Sequence, residues 1–420
     1  MNHVFATMAR PLAAGLLSLA SIAHAASEAA LEQRARLAAN LNTVLDTAVA
    51  QKRIVGAVVL VAQDGAVLYR QAVGYADREA QRPMQTSTGF RLASMTKPIV
   101  TLAAMRLVEE GKLQLDAPVT RYLPDFRPPL VTAHGEKTVP TLSVRQLITH
   151  TSGLGYGFAE GADGAYARLG VSDGLDSSGI SLDENLRRLG KAPLYFAPGS
   201  QWRYSLGIDV LGAVVAKAGG ASLQQVVAQS VTQPLQMQHT RFAVRSGSPL
   251  AVPYADGKPQ PVRMRENMVV PLAAGQDGGV RFSPKRAFDR HAFASGGAGM
   301  VGNADDYLQL LESVRRSAAG QPGLLQPGAA QEMVRDQVGP QAQTQGPGWG
   351  FGLGWAVLVD PALAGTPQGK GSLQWGGAYG HNWFVDPERR LSVILLTNTA
   401  FEGMAGRLVN EVRDAVYASL

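Results

Sequence analysis

The sequence predicts an α/β chain of the α+β kind: an antiparallel sheet drawn from both ends of the chain, flanked by terminal helices, with a mostly helical lobe between them. Three observations carry this. A β-branched hairpin pattern follows a leading helix near the start. Short apolar strands precede an amphipathic helix at the end. The middle is helical and loop-rich, with no repeat and no separating linker. One domain over 26–420 is expected, with its sheet lobe at about 26–109 and 346–420 and its helical lobe at about 110–345.

The elements follow in order. Over 27–52, Leu31, Leu37, Leu41 and Leu45 recur near helical spacing. Residues 54–62 are apolar and β-branched, Gln63-Asp64-Gly65 supplies a turn, and 66–75 completes the hairpin. Residues 94–110 are apolar nearly all round, and Gly111 can end that helix. Pro98 sits badly in a helix interior. It is tolerated if Ser94 is the N-cap, because the first N–H groups of a helix lack a partner within it. Ser143 and Gln146 form a capping-box pattern opening a helix to about His150. Residues 155–179 read as a long surface loop, and 210–217 and 223–230 as helices. Segments 245–290 and 317–349 read as loops around a short helix at 305–313. Strands are expected at 352–359, 373–376, 382–385 and 391–397, followed by one helix over 402–420.

With 420 residues, 45% of them hydrophobic, the chain can bury a large core. Only 17% of residues are charged, and the 47 glycines and 24 prolines mark a loop-rich globular chain. The formal net charge is +6, but basic residues come in pairs such as Arg187-Arg188, Arg315-Arg316 and Arg389-Arg390. Without clustering on one face there is no nucleic-acid footprint. Arg10, an apolar stretch over 12–23 and Ala23-His24-Ala25 follow the order of a secretory signal peptide over 1–25. That stretch is shorter than the ~20 residues needed to span a bilayer. A mature chain starting near Ala26 is expected, periplasmic or secreted, without stable membrane insertion. The absence of cysteine excludes disulfides, cysteine catalysis and cysteine-ligated zinc. His134, His150, His239, His291 and His381 show no metal-ligand spacing, so neither metal nor cofactor is expected.

Ser94-Met95-Thr96-Lys97 is a Ser-x-x-Lys motif. Residues three apart share a helix face, so Lys97 can stand beside the Ser94 hydroxyl. A serine hydroxyl is a weak nucleophile until a neighbouring base takes its proton. A helix N-terminus adds backbone dipoles that stabilise a developing oxyanion. Alone, the motif also fits a capping serine and a surface lysine. Its company adds weight: His150-Thr151-Ser152-Gly153-Leu154, then Pro198-Gly199-Ser200 and Tyr204-Ser205-Leu206-Gly207, then Ser295-Gly296-Gly297-Ala298-Gly299-Met300, then Trp375-Gly376-Gly377-Ala378-Tyr379-Gly380-His381. No lysine follows Gly296-Gly297 in a phosphate-loop pattern, so those glycines are expected to serve tight backbone packing.

This set, in this order, resembles the serine β-lactamase superfamily of the class C type, and within it the family VIII carboxylesterases, over essentially the whole mature chain. The resemblance implies that Ser94 is the acylated nucleophile, Lys97 its hydrogen-bonded partner and Tyr204 the tyrosine general base. Which of the two takes the first proton is left open. It also implies an oxyanion hole from the backbone N–H groups of Ser94 and Ala378. Trp375, Gly376, Gly377, Tyr379, His381 and Leu206 are expected to contact substrate. Two departures separate this chain from enzymes that bind penicillins. Leu206 replaces the Asn of a Tyr-x-Asn motif, and Trp375 replaces a lysine that would hold a carboxylate. The expected activity is hydrolysis of a small, short-chain ester. The alternatives are a class C-like β-lactamase or DD-peptidase, and a non-catalytic binding or regulatory protein on the same scaffold. The intact Ser94, Lys97 and Tyr204 speak against the last. Natural substrate, stereoselectivity and oligomeric state are not legible.

Overall fold

The computed structural model describes residues 12–132, 134–161, 163–245, 247–272 and 278–420, with backbone alone for 12–27. Arg10 and the side chains of the expected signal peptide therefore lie outside the described residues. Eight strands form one antiparallel sheet: β1 (Gly56–Gln63), β2 (Ala66–Asp77), β3 (Arg82–Pro83), β4 (Trp349–Phe351), β5 (Ala356–Leu358), β6 (Leu373–Gly377), β7 (His381–Asp386) and β8 (Leu391–Thr397). Their spatial order is β4-β5-β6-β7-β8-β1-β2-β3. The two ends of the chain meet where β1 pairs with β8, Ala57 opposite Thr397 and Gln63 opposite Leu391.

The helices used below are α1 (Leu12–Ala50), α2 (Thr96–Glu109), α3 (Val144–Ile148), α4 (Leu182–Leu189), α5 (Gly207–Gly219), α6 (Leu223–Val227), α7 (Ala304–Ala318), α8 (Pro327–Val334), α9 (Ala400–Ala405) and α10 (Arg407–Tyr417). The central strands β7 and β8 are buried throughout, and β1 nearly so, because helices cover both faces of the sheet. Side chains alternate between those faces. Val59 and Val61 meet Leu37, Leu41 and Leu45 of α1 and Leu408 and Val412 of α10. Val58 and Leu60 join the larger core with Ile99, Ala103 and Met105 of α2. Each such buried aliphatic side chain contributes roughly 1.5–3 kcal/mol.

Several expectations need correction. Ser94 is not a capping residue: a single 3₁₀ turn, Ala93–Met95, leads into α2, and no side chain caps either segment. The strand expected over 352–359 is shorter, β5 alone, and folds back on β4, which lies just before that range. Segment 317–349 contains α8, begun by Pro327 at its first position. Short strand pairs, Tyr254–Ala255 with Val262–Arg263 and Met268–Val270 with Val280–Phe282, tie together the segment read as loop. The terminal helix is interrupted at Gly406, which starts α10 in an extended conformation. The capping box of Ser143 and Gln146 is present, with both reciprocal bonds.

Candidate active site

Ser94 is carried by a strained, heavily tethered segment. Ala93 has φ of 46°, a left-handed conformation that costs a non-glycine residue about 1–3 kcal/mol. Neighbouring bonds hold it there. Leu92 N–H donates to the Met300 carbonyl at 2.9 Å. Residues 90–91 pair with 301–302. His381 Nε2 donates to the Arg91 carbonyl at 2.8 Å. Burial pushes the His381 pKa down to about 4, so the ring is neutral near pH 7, with its proton on Nε2 facing that carbonyl.

With no capping bond to make, the Ser94 hydroxyl is available to the groups around it. Tyr204 Oη lies 2.6 Å from Ser94 Oγ in a hydrogen bond. Lys97 Nζ donates to Ser94 Oγ at 3.3 Å and to the Gly297 carbonyl at 2.7 Å. Lys97 is fully buried, and its Nζ stands 4.7 Å from the Tyr204 ring centre and 5.4 Å from that of Tyr156. Such cation–ring contacts hold an ammonium in an apolar site.

The nearby counter-charge is Asp209 in the first turn of α5. Burial raises its pKa, opposed by the charge of Lys97, the Ser295 hydroxyl and the Gly297 amide. Ser295 Oγ donates to Asp209 Oδ1 at 2.5 Å. A β-carbon on Gly297 would overlap Asp209 Oδ2. This is the packing reason for Ser295-Gly296-Gly297: one peptide lies against Asp209 on one side and presents its carbonyl to Lys97 on the other.

Tyr204 is held by rings. His150, Tyr156 and Trp375 lie 4.9, 5.0 and 5.3 Å from it, centre to centre. His150 follows α3 with φ of 57° and is fully buried. Its pKa falls well below the usual histidine value through burial and then through the charge of Lys97. Its Nδ1 bonds Ser205 Oγ at 3.0 Å, so it supports Tyr204 by packing.

Ala378, expected from the resemblance to be the second oxyanion donor, directly follows β6. A β-carbon on Gly377 would overlap the Leu92 carbonyl oxygen, so only glycine lets the strand end press against the nucleophile segment. That contact brings Ala378 to the cavity wall beside Ser94. Among the described residues the Ala378 N–H meets no acceptor. It is free to serve an oxyanion, as the geometry of acyl transfer requires.

The cavity over Ser94 has a volume of about 280 Å³. Trp375, Gly376 and Ala378 line it with Ser94 and Tyr204, as expected. Four expected contacts are absent from its lining. Gly377 faces Leu92. His381, opposite Gly377 in register, lies beneath the nucleophile segment. Tyr379 packs on Phe282 with ring centres 4.8 Å apart and lines a separate small cavity with Arg91 and Arg286. Leu206 is fully buried in the main core where α5 begins. The opposite wall was missed by the sequence reading: Tyr156, Phe158, Asp173, Leu175, Leu272 and Val280, with Phe401 and Met404 of α9. Apart from Met404, which falls in the expected terminal helix, these lie in segments without periodicity. The one available signal was their aromatic and aliphatic content amid polar loop residues.

The arrangement holds a serine hydroxyl within hydrogen-bond reach of a phenol and an amine, at a largely apolar cavity with a backbone donor in its wall. Comparison with known proteins agrees with that chemistry. The Beta-lactamase family model matches residues 41–418, and the chain belongs to that family. It is 57% identical to Esterase EstB of Burkholderia gladioli over 91% of this chain and 96% of that protein. The solved structure of EstCE1, a hydrolase with promiscuous acyltransferase activity, superposes with a TM-score of 0.88 at 49% identity, covering 91% of this chain and 99% of that one. The fold alone is shared with the simvastatin synthase LovD of Aspergillus terreus, at a TM-score of 0.71 and 23% identity over 91% and 98% of the two chains.

Proposed function

We propose that this chain is a serine carboxylesterase acting on small neutral esters through a covalent acyl-Ser94 intermediate. The observation that carries the reading is the Ser94 hydroxyl, 2.6 Å from Tyr204 Oη and 3.3 Å from Lys97 Nζ, at the base of a cavity whose described lining has no lysine or arginine. The Tyr204–Lys97 pair takes the hydroxyl proton as Ser94 Oγ attacks the ester carbonyl. The oxyanion is stabilised by the N–H groups of Ser94 and Ala378. The same pair returns the proton to the departing alkoxide, which leaves as an alcohol. Water then repeats the sequence on the acyl-enzyme and releases a carboxylic acid.

Trp375 supplies the selectivity. It offers an apolar ring and one N–H donor where a lysine would hold a carboxylate. Leu206, buried in the core, contributes nothing to that choice, so the preference for esters over lactams rests on the apolar wall. Export of the chain is part of the same reading. It is supported by the order Arg10, apolar 12–23 and Ala23-His24-Ala25 and is checked by an N-terminus at Ala26 on protein from the periplasm or medium.

Side-by-side kcat/KM values for p-nitrophenyl butyrate and nitrocefin test the proposal. The ester is expected to win by orders of magnitude. A nitrocefin value equal to or above that of the ester would overturn it.

A further inference from the structure

We propose that Asp173 is a specificity-determining residue: its carboxylate turns away substrates whose pocket-facing group is anionic and admits neutral or cationic ones. The inference rests on the esterase reading above and names the charge class that the site accepts.

The geometry starts with the long loop that follows α3. Asp173 accepts hydrogen bonds from two successive backbone amides of that loop, Gly157 N–H to Oδ1 and Phe158 N–H to Oδ2, each at 2.9 Å. These bonds fix the carboxyl next to Tyr156, whose ring leans on that of Tyr204. Asp173 therefore lines the same cavity as Ser94. Among the described lining residues it is the one carboxyl, and no lysine or arginine accompanies it. Lys97, the nearest catalytic cation, is fully buried behind Ser94 and does not line the cavity.

The leading charges acting on this carboxyl are negative, while Lys97 and Arg286 act on its neighbour Asp209. Asp176 on its own loop and Asp209 on α5 both add repulsion. Tyr156, Tyr166 and Tyr195 are phenols that interact with it and carry no positive charge. Burial and the two carboxylates hold its pKa up at about 7, against the pull of the two amides. Asp173 is thus protonated below that value and ionised above it. Above that value a negative group entering the cavity meets a fixed negative charge in a partly buried site, where like charges repel more strongly than in bulk water. Specificity built on such a repulsive element complements the apolar Trp375 wall, which merely fails to attract anions.

The test uses three esters that differ only at the far end of a six-carbon acyl chain: ethyl hexanoate, monoethyl adipate and ethyl 6-aminohexanoate. The free carboxyl of monoethyl adipate, with an ordinary pKa near ~4.5, stays ionised from pH 6 to pH 8.5. The ratio of kcat/KM for ethyl hexanoate to that for monoethyl adipate cancels the shared titration of the catalytic groups. In the wild-type enzyme this ratio is expected to rise about tenfold as pH passes through 7, the equivalent of roughly 1.4 kcal/mol. The ratio of ethyl 6-aminohexanoate to ethyl hexanoate is expected to rise over the same range. In Asp173→Asn both ratios are expected to become flat with pH. Damage to the loop would slow all three esters together and leave the wild-type pH dependence in place. Ratios that are flat in the wild type, or that keep their pH dependence in Asp173→Asn, would overturn the inference while leaving the esterase reading intact. Failure of the folded wild-type enzyme to hydrolyse any of the three would remove that reading itself.

Discussion

Two walls face each other across the Ser94 hydroxyl, and they are built by opposite means. Behind Ser94, α2, α5 and the start of β7 place side chains through directed polar contacts: Lys97 to Gly297, Asp209 to Ser295, His381 to Arg91. Each of these groups is buried, and each is held by a bond whose length and angle tolerate little error. The facing wall offers Phe158, Leu175, Leu272, Val280, Phe401 and Met404. Their contacts are dispersive, without preferred angles, and adapt to different shapes. The first wall sets the reaction, and the second sets what reaches it. Polar groups fixed by buried bonds beside an apolar lining make a division of labour that lets selectivity vary without disturbing the proposed chemistry.

Substitutions that act on one wall only sharpen the contrast. The largest effect is expected on the rigid side. Tyr204→Phe removes the oxygen 2.6 Å from Ser94 Oγ while keeping the ring that packs on His150 and Trp375. A fall in kcat of about 10²–10⁴-fold is expected, with little change in melting temperature. A loss below threefold would show that Lys97 works without it.

A middle effect is expected at His381→Phe. The ring is fully enclosed; the substitution keeps an aromatic ring there, somewhat larger, but leaves the Arg91 carbonyl without its donor. The cost is about 1–3 kcal/mol of stability, read by denaturant unfolding. The sign of the pH dependence follows from the lowered pKa. The neutral histidine contributes stability that is fully present above pH ~6.5 and lost as pH falls toward the folded value of about 4. The gap between wild type and His381→Phe should therefore narrow on acidification across that window. An equal gap at pH 4.5 and pH 8 would contradict the lowered pKa of the buried ring.

The smallest effect belongs to the facing wall. Phe158→Ala is expected to raise KM for p-nitrophenyl butyrate about three- to tenfold with kcat nearly unchanged, because the ring binds ground state and transition state alike. A collapse of kcat instead would mean that the loop organises the nucleophile.

The two walls also differ in how far they can be read from the sequence. The spacing of Ser94 and Lys97 puts them on one helix face, and Tyr204 was reached through the resemblance carried by the whole set of motifs. The antiparallel sheet was legible because β1, β2, β7 and β8 have strong apolar or alternating patterns. Trp375 was placed correctly because it lies on β6. Gly377 and His381 were not, because what they face depends on the register of the β6–β7 hairpin, which sends both toward Leu92 and Arg91. Leu206 was misjudged because a single residue before a helix carries no signal of its direction, and here it points into the core. Asp173 sat in a Gly- and Ser-rich stretch that looks like solvent-exposed loop. Only the fold shows that its carboxyl is tied to the Gly157 and Phe158 amides and turned into the cavity.

The central claim, a covalent acyl-enzyme on Ser94, is tested most directly by mass spectrometry of the intact protein after treatment with a fluorophosphonate. One equivalent of label is expected, mapped to the peptide that contains Ser94, with complete loss of ester hydrolysis. Ser94→Ala should take up no label and show no turnover. Label on another residue, or continued hydrolysis by Ser94→Ala, would contradict it.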